Sequence, residues 1–238
     1  MKLRMACLAI VCLALGTLPA RTQVYDNGPI NGNTDAWTIN FGHVVSDTFV
    51  APHPGYGFDF QFGVWESPYQ VGPCALYVCG TSGPVLSVQW SITSGENSGT
   101  LFGSGTASGS DLTDKFISYN QYGYYIDLVT VTTDGGGLTP GSTYWLNLQN
   151  ANMLGGGPVY WDENSGQGCK SNGCPSMASD NEVGTIPSEA FTISTGDCSG
   201  GRGSSGGCAP GGAPEPSSIM LFGSGILGLV GILRRKLL

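Results

Sequence analysis

Apolar and polar residues alternate one for one in stretch after stretch of this chain. Phe58, Phe60, Phe62 and Val64 interleave with Asp59, Gln61 and Gly63. Leu86, Val88, Trp90 and Ile92 interleave with Ser87, Gln89, Ser91 and Thr93, and Tyr144, Leu146 and Leu148 with Thr143, Trp145 and Asn147. A period of two sends one set to one face of an extended backbone and the other set to the opposite face, so each stretch reads as a strand with one buried face. Shorter stretches of this kind lie at 37–41, 46–50, 100–106, 124–131, 159–162 and 191–194. Clusters of Gly, Pro, Asn and Asp separate them, as turns require. No stretch between 21 and 213 sustains a helical period. The expected fold of that region is all-β, a two-sheet antiparallel β-sandwich, jelly-roll-like, with about nine strands.

Composition agrees and excludes several classes. Glycine supplies 39 of the 238 residues and charged side chains only 11%, against about 7% and about 25% in an ordinary globular chain. That rules out a coiled coil, a long helical bundle and a charge-rich disordered chain. The formal net charge is −8. Between 21 and 213 there are 16 acids against Arg21, Lys115, Lys170 and Arg202, a local balance of −12. Nucleic acid is not an expected partner, because phosphate binding needs a basic face. The acids are of the kind that hold Ca²⁺, but no EF-hand pattern is present, so no cofactor is expected. A faint echo links Gly42–Phe49 with Gly184–Phe191, where Gly, an aliphatic residue, Ser, an acid and Phe recur at equal offsets. It leads us to expect these segments as first and last strands, side by side in one sheet.

Both ends read as addresses. Lys2 and Arg4 precede an apolar run from Met5 to Leu18, and Leu18-Pro19-Ala20 ends on a small residue suited to cleavage, so residues 1–20 read as a signal peptide with a signal helix. Residues 21–195 then form the β domain, and 196–213, with eight glycines, a Gly/Ser-rich linker. A second apolar run, Ser217 to Leu233, ends in Arg234, Arg235 and Lys236. As a helix it would reach roughly 25 Å at ~1.5 Å per residue, close to the thickness of a bilayer core. The basic triplet would stay cytoplasmic and leave the domain outside. Gly223, Gly225 and Gly228 fit a dinucleotide fingerprint in spacing only, since no strand precedes them.

Pro214-Glu215-Pro216, the apolar run and the basic end, in this order, resemble a PEP-CTERM sorting domain over residues 214–238. The resemblance implies an exported protein of a Gram-negative bacterium that makes extracellular polysaccharide. It implies recognition by an exosortase at the inner membrane and cutting near the Pro-Glu-Pro element, so that the tail is a transient anchor. Three further stretches, 143–151, 158–166 and 186–191, are similar to segments of other PEP-CTERM proteins, which adds a shared all-β domain but no activity.

Once Cys7 and Cys12 leave with the signal, Cys74, Cys79, Cys169, Cys174, Cys198 and Cys208 remain. An exported chain meets an oxidising compartment, so disulfides are expected. Local pairing (74–79, 169–174, 198–208) is the simplest of the fifteen possible connectivities. Zinc is the rival for such cysteines, but no His lies near them. The two histidines, His43 and His53, stand apart from any nucleophile motif, and no serine occupies a G-x-S-x-G elbow. Asp162 and Glu163 are adjacent, and in a strand they would point to opposite faces and fail to flank one bond.

The expectation is therefore a surface or matrix-associated protein without catalytic activity. A carbohydrate-binding module is the first alternative, and a polysaccharide-active glycosidase or lyase the second. For binding, the candidates are Trp145, Trp161, Asp162, Glu163 and Asn164, because an indole face can carry a sugar ring while nearby oxygens accept its hydroxyl protons. The other reading of Trp161–Asn164 is core packing followed by a turn.

Overall fold

A computed structural model describes residues 24–52, 58–70, 80–133 and 137–195. The chain divides into two units at Asp197/Cys198, and all described residues belong to the first. The expected signal peptide, linker and sorting segment lie outside the described residues, as do Cys74, Cys79, Cys198 and Cys208. Among the described residues, one 3₁₀ turn at Gly109–Asp111 is the only helical element, and no helix is long and apolar enough to cross a membrane.

The described region is all-β, built from two large antiparallel sheets. One has seven strands: β1 (Val24–Asp26), β2 (Asp35–Thr38), β4 (Phe58–Glu66), β9 (Leu112–Tyr119), β10 (Tyr125–Thr133), β12 (Val159–Glu163) and β15 (Phe191–Thr195). Its path runs β1-β15-β4-β10-β9. β4 is the organiser. Along one edge it pairs with β10 from Tyr125↔Glu66 to Thr133↔Phe58. Along the other it takes β15 on its first half and β12 at Val64–Glu66. The second sheet has six strands: β3 (Val44–Val50), β7 (Val85–Gly95), β8 (Ser98–Ser108), β11 (Thr143–Met153), β13 (Ala178–Asp180) and β14 (Gly184–Ile186), in the order β14-β13-β3-β11-β7-β8. β5 (Pro68–Gln70) and β6 (Gly80–Ser82) form a separate two-stranded ribbon.

The alternation explains how the sheets meet. Phe60, Phe62 and Val64 of β4 and Val129 and Val131 of β10 turn inward, and so do Trp90 and Ile92 of β7 and Leu146 and Leu148 of β11. All belong to one continuous core. The ring of Trp90 lies 5.5 Å from Phe58 and 6.1 Å from Phe60, and Tyr25 stands 6.1 Å from Phe49, so aromatic edges interlock across the sheets. Burying such rings removes 150–250 Å² each from water, at about 25 cal/mol per Å².

Several local expectations change. β1 pairs with β15, so the first and last described strands are neighbours, but they are not the echoing segments. Phe49 sits on β3 of the six-stranded sheet and Phe191 on β15 of the seven-stranded one; the two share a core but no sheet. Phe41, expected in a strand, occupies a turn at φ 56° and is exposed. Leu86 is 43% exposed while Val85 is buried. The β7–β11 register shifts between Asn152 and Met153, opposite Ser87 and Val85, so Leu86 is the extra residue of a bulge and its parity flips.

Candidate functional site

The binding residues expected from sequence do not converge. Trp161 is fully buried on the inner face of β12. Its ring meets Phe62 at 5.9 Å and Phe191 at 5.6 Å, and its indole N–H donates to the Ala190 carbonyl at 3.1 Å. No face is left for a sugar, so Trp161 is a core residue, not a sugar plate. Asn164 is likewise buried; it donates to the Asn27 carbonyl at 2.7 Å and accepts from Gly166 N at 2.8 Å, closing a turn. Asp162 and Glu163 point to opposite faces. Asp162 accepts from Trp65 Nε1 at 2.5 Å and from the backbone N–H groups of Asn31 and Gly32, while Glu163 accepts from Trp37 Nε1 at 3.2 Å and from the Ser165 hydroxyl. Trp145 is half-buried on β11, between Thr48 and Thr93 of the flanking strands, on the six-stranded sheet and away from Trp161.

A different set of aromatic side chains does converge. Trp65 on β4, Tyr160 on β12, and Tyr122 and Tyr124 from the β9–β10 turn line an open cleft of about 490 Å³ with Thr34, Asp35 and Ala36. The volume lies within the range of small-ligand sites, roughly 300–1,000 Å³. Parity places the first two there. Phe62 and Val64 face the core, so Trp65 falls on the outer face of β4, and Tyr160, next to buried Val159 and Trp161, falls on the outer face of β12. Asn120 builds the turn: its side-chain oxygen accepts from Tyr122 N at 3.0 Å and Tyr124 N at 2.9 Å, and Gly123 supplies φ 84°. Trp65 and Tyr122 stack with centroids 5.9 Å apart at 27°, Tyr124 lies 5.8 Å from Trp65, and Tyr160 stands edge-on to Tyr124 at 5.8 Å.

The loop at 28–32 supports this face. A Cβ at Gly63 would meet Ile30 at 2.6 Å, so the absence of a side chain at Gly63 lets Ile30 lie against β4. The same loop brings Asn31 and Gly32 to Asp162, which in turn fixes the Trp65 indole. Burial raises the Asp162 carboxyl above the usual range, and its three donors and nearby Glu163 act on it less strongly. Burial, and then the adjacent Tyr124, raise the Tyr160 hydroxyl. The missed signal was an aromatic at an outward position of an alternating strand: Asp59, Gln61, Gly63, Trp65.

Two groups of acids lie between the sheets. Glu66, Asp114 and Asp127 bring carboxylate oxygens within 4.8 Å of one another, a donor set suited to a hard cation. Burial lifts Asp114 to about 6, with the Val85 N–H, 2.7 Å away, opposing the rise. On the other group, Asp47 projects from β3 into the core and accepts from Glu189 N at 2.8 Å. Both are fully buried, and neither side-chain oxygen of Glu189 has a hydrogen-bond partner. Burial pushes Asp47 up to about 7, and it raises Glu189 well above the usual carboxylate range, with Asp47 and Glu163 adding repulsion. Elsewhere, His43 Nδ1 meets Asp180 at 3.0 Å, which ties the start of β3 to β13.

Cys169 and Cys174 form a disulfide, with Cα atoms 5.9 Å apart, as local pairing requires. Comparison with known families finds the PEP-CTERM protein-sorting motif at residues 213–236. The chain therefore carries the sorting signal of an exosortase-processed protein, and the motif implies export with transient anchoring at the membrane. No curated protein matches the chain.

Proposed function

We propose that this chain is a surface or matrix-associated protein of a Gram-negative bacterium that needs no cofactor and carries out no catalysis. In this reading it is exported by residues 1–20, held by a helix at 217–233, and processed by an exosortase near Pro214-Glu215-Pro216. The observation that carries the reading is the sorting motif at 213–236. The body supports it. Setting aside inserted strands, the orders β1-β15-β4-β10 and β3-β11-β7-β8 follow a jelly-roll-like path of two interlocked Greek keys. Such a sandwich, with one continuous core and paired central strands, makes a durable extracellular body. The Cys169–Cys174 disulfide suits an oxidising compartment.

The test is to replace Pro214, Glu215 and Pro216 by Ala in the full chain and follow processing in the native host. Uncut precursor is expected to collect in the inner membrane. Unchanged maturation and delivery would contradict the sorting role, and turnover of a polysaccharide by the purified protein would contradict the absence of catalysis. Glycan recognition is a second reading, which the Trp65/Tyr122/Tyr160 cleft favours.

A further inference from the structure

We propose that the outer-face cleft of the seven-stranded sheet is a binding site for a neutral polysaccharide chain, gripped by Tyr122 and Tyr160 over the buried support of Trp65 and oriented by Asp35. The inference rests on the reading of the protein as an exported surface protein and supplies that reading with a ligand class.

The cleft has the two components that sugar recognition needs. One is a set of aromatic faces held in place before the ligand arrives. Trp65 is only 5% exposed, its indole N–H is committed to Asp162, and Tyr122 stacks on it while remaining 59% exposed. Trp and Tyr are rigid side chains that lose little freedom on binding, and the C–H faces of a hexose pack on such rings. The other component is polar and sits beside the rings: the Asp35 carboxylate and the Thr34 hydroxyl share the lining with the phenols. An apolar peptide or a lipid tail would leave these groups without partners, whereas sugar hydroxyls both donate and accept.

Charge selects among glycans. The cleft contains a carboxylate and no cation. Lys115 and Lys170 are the only cations among the described residues, and neither lines it; Lys170 pairs with Asp26 at 3.5 Å. The region 21–213 has a balance of −12. A uronate or sulfated polymer would meet repulsion at every approach, whereas a neutral hexose chain would not.

The test uses the purified full chain in detergent and titrates it with dextran, laminarin and galactomannan as neutral probes, and with polygalacturonate as the anionic one. Binding is followed by calorimetry and Trp fluorescence. At least one neutral probe is expected to bind at millimolar sugar and to quench emission. Tyr122→Ala and Tyr160→Phe separate stacking from hydroxyl contacts: the first is expected to weaken binding about tenfold or more, the second less. Trp145→Ala, on the other sheet, should bind as the parent does. Tyr122→Ala uncovers part of the Trp65 ring, so its binding is read well below its own thermal midpoint, measured in parallel. The proposal is overturned if no neutral probe binds, if polygalacturonate binds in preference, or if Tyr122→Ala binds as the parent does. None of these outcomes would affect processing at Pro214–Pro216, which is read separately by mass.

Discussion

At the residue scale, two buried groups decide matters that sequence position alone leaves open. Trp161 has the composition of a sugar plate, with Asp, Glu and Asn beside it, yet it is the largest fully buried side chain among the described residues. Trp161→Ala is expected to cost about 3–5 kcal/mol of folding stability, as large aromatic truncations in cores do. Chemical denaturation measures this, and a loss below about 1 kcal/mol would return the residue to the surface. The acid pair Asp47/Glu189 makes stability depend on pH. Asp47 is raised to about 7 by burial, and it lies close enough to the Glu189 carboxyl and the Tyr25 hydroxyl to disfavour their charged forms. A carboxyl whose folded pKa lies above its unfolded value holds its full stabilisation below the unfolded pKa and loses it as pH rises through the folded one. Stability is therefore expected to fall between about pH 4 and pH 7, by on the order of 4 kcal/mol for Asp47 alone. Asp47→Asn should flatten that slope in denaturation curves taken across the range; an equally steep slope in the variant would contradict the assignment.

At the scale of elements, a strand stands in each of the nine stretches that the period-two pattern marks, although β2 stops at Thr38 and leaves Phe41 in a turn, and β8 keeps only Ala107 buried. The pattern loses strands whose apolar residues show no inward period. β9 carries Phe116, Ile117 and Tyr119 outward at a sheet edge, so its apolar residues follow no inward parity. β1, β13 and β14 are three residues each, too short to show a period. The aromatic cleft was partly readable, since Trp65 and Tyr160 stand at outward positions of alternating strands. What joins them to Tyr122 is long-range pairing, β4 with β12 and with β10, which no local pattern encodes. The support beneath the cleft is testable at Gly63. Gly63→Ala would press a methyl group into Ile30 and Asp162 Cβ, at 2.6 and 3.0 Å. We expect a loss of about 1–3 kcal/mol, as overpacking gives, with a shift in Trp65 emission as the 28–32 loop moves off Asp162. Unchanged stability would show that the loop does not bear on β4.

At the scale of the whole molecule, the parts serve one itinerary. The sorting motif lies at 213–236, and ahead of it stands a single-core body in a region of acidic balance, closed at β1 and β15 by pairing of its first and last described strands. That pairing places both ends of the described body on the same sheet. The most direct test of this account is the intact mass of the protein recovered from the cell surface under non-reducing conditions. The account predicts a species that begins after Ala20, ends near Pro216 and is lighter by the hydrogens of its disulfides. Recovery of the whole Met1–Leu238 chain from the cytoplasm, with free thiols, would contradict it.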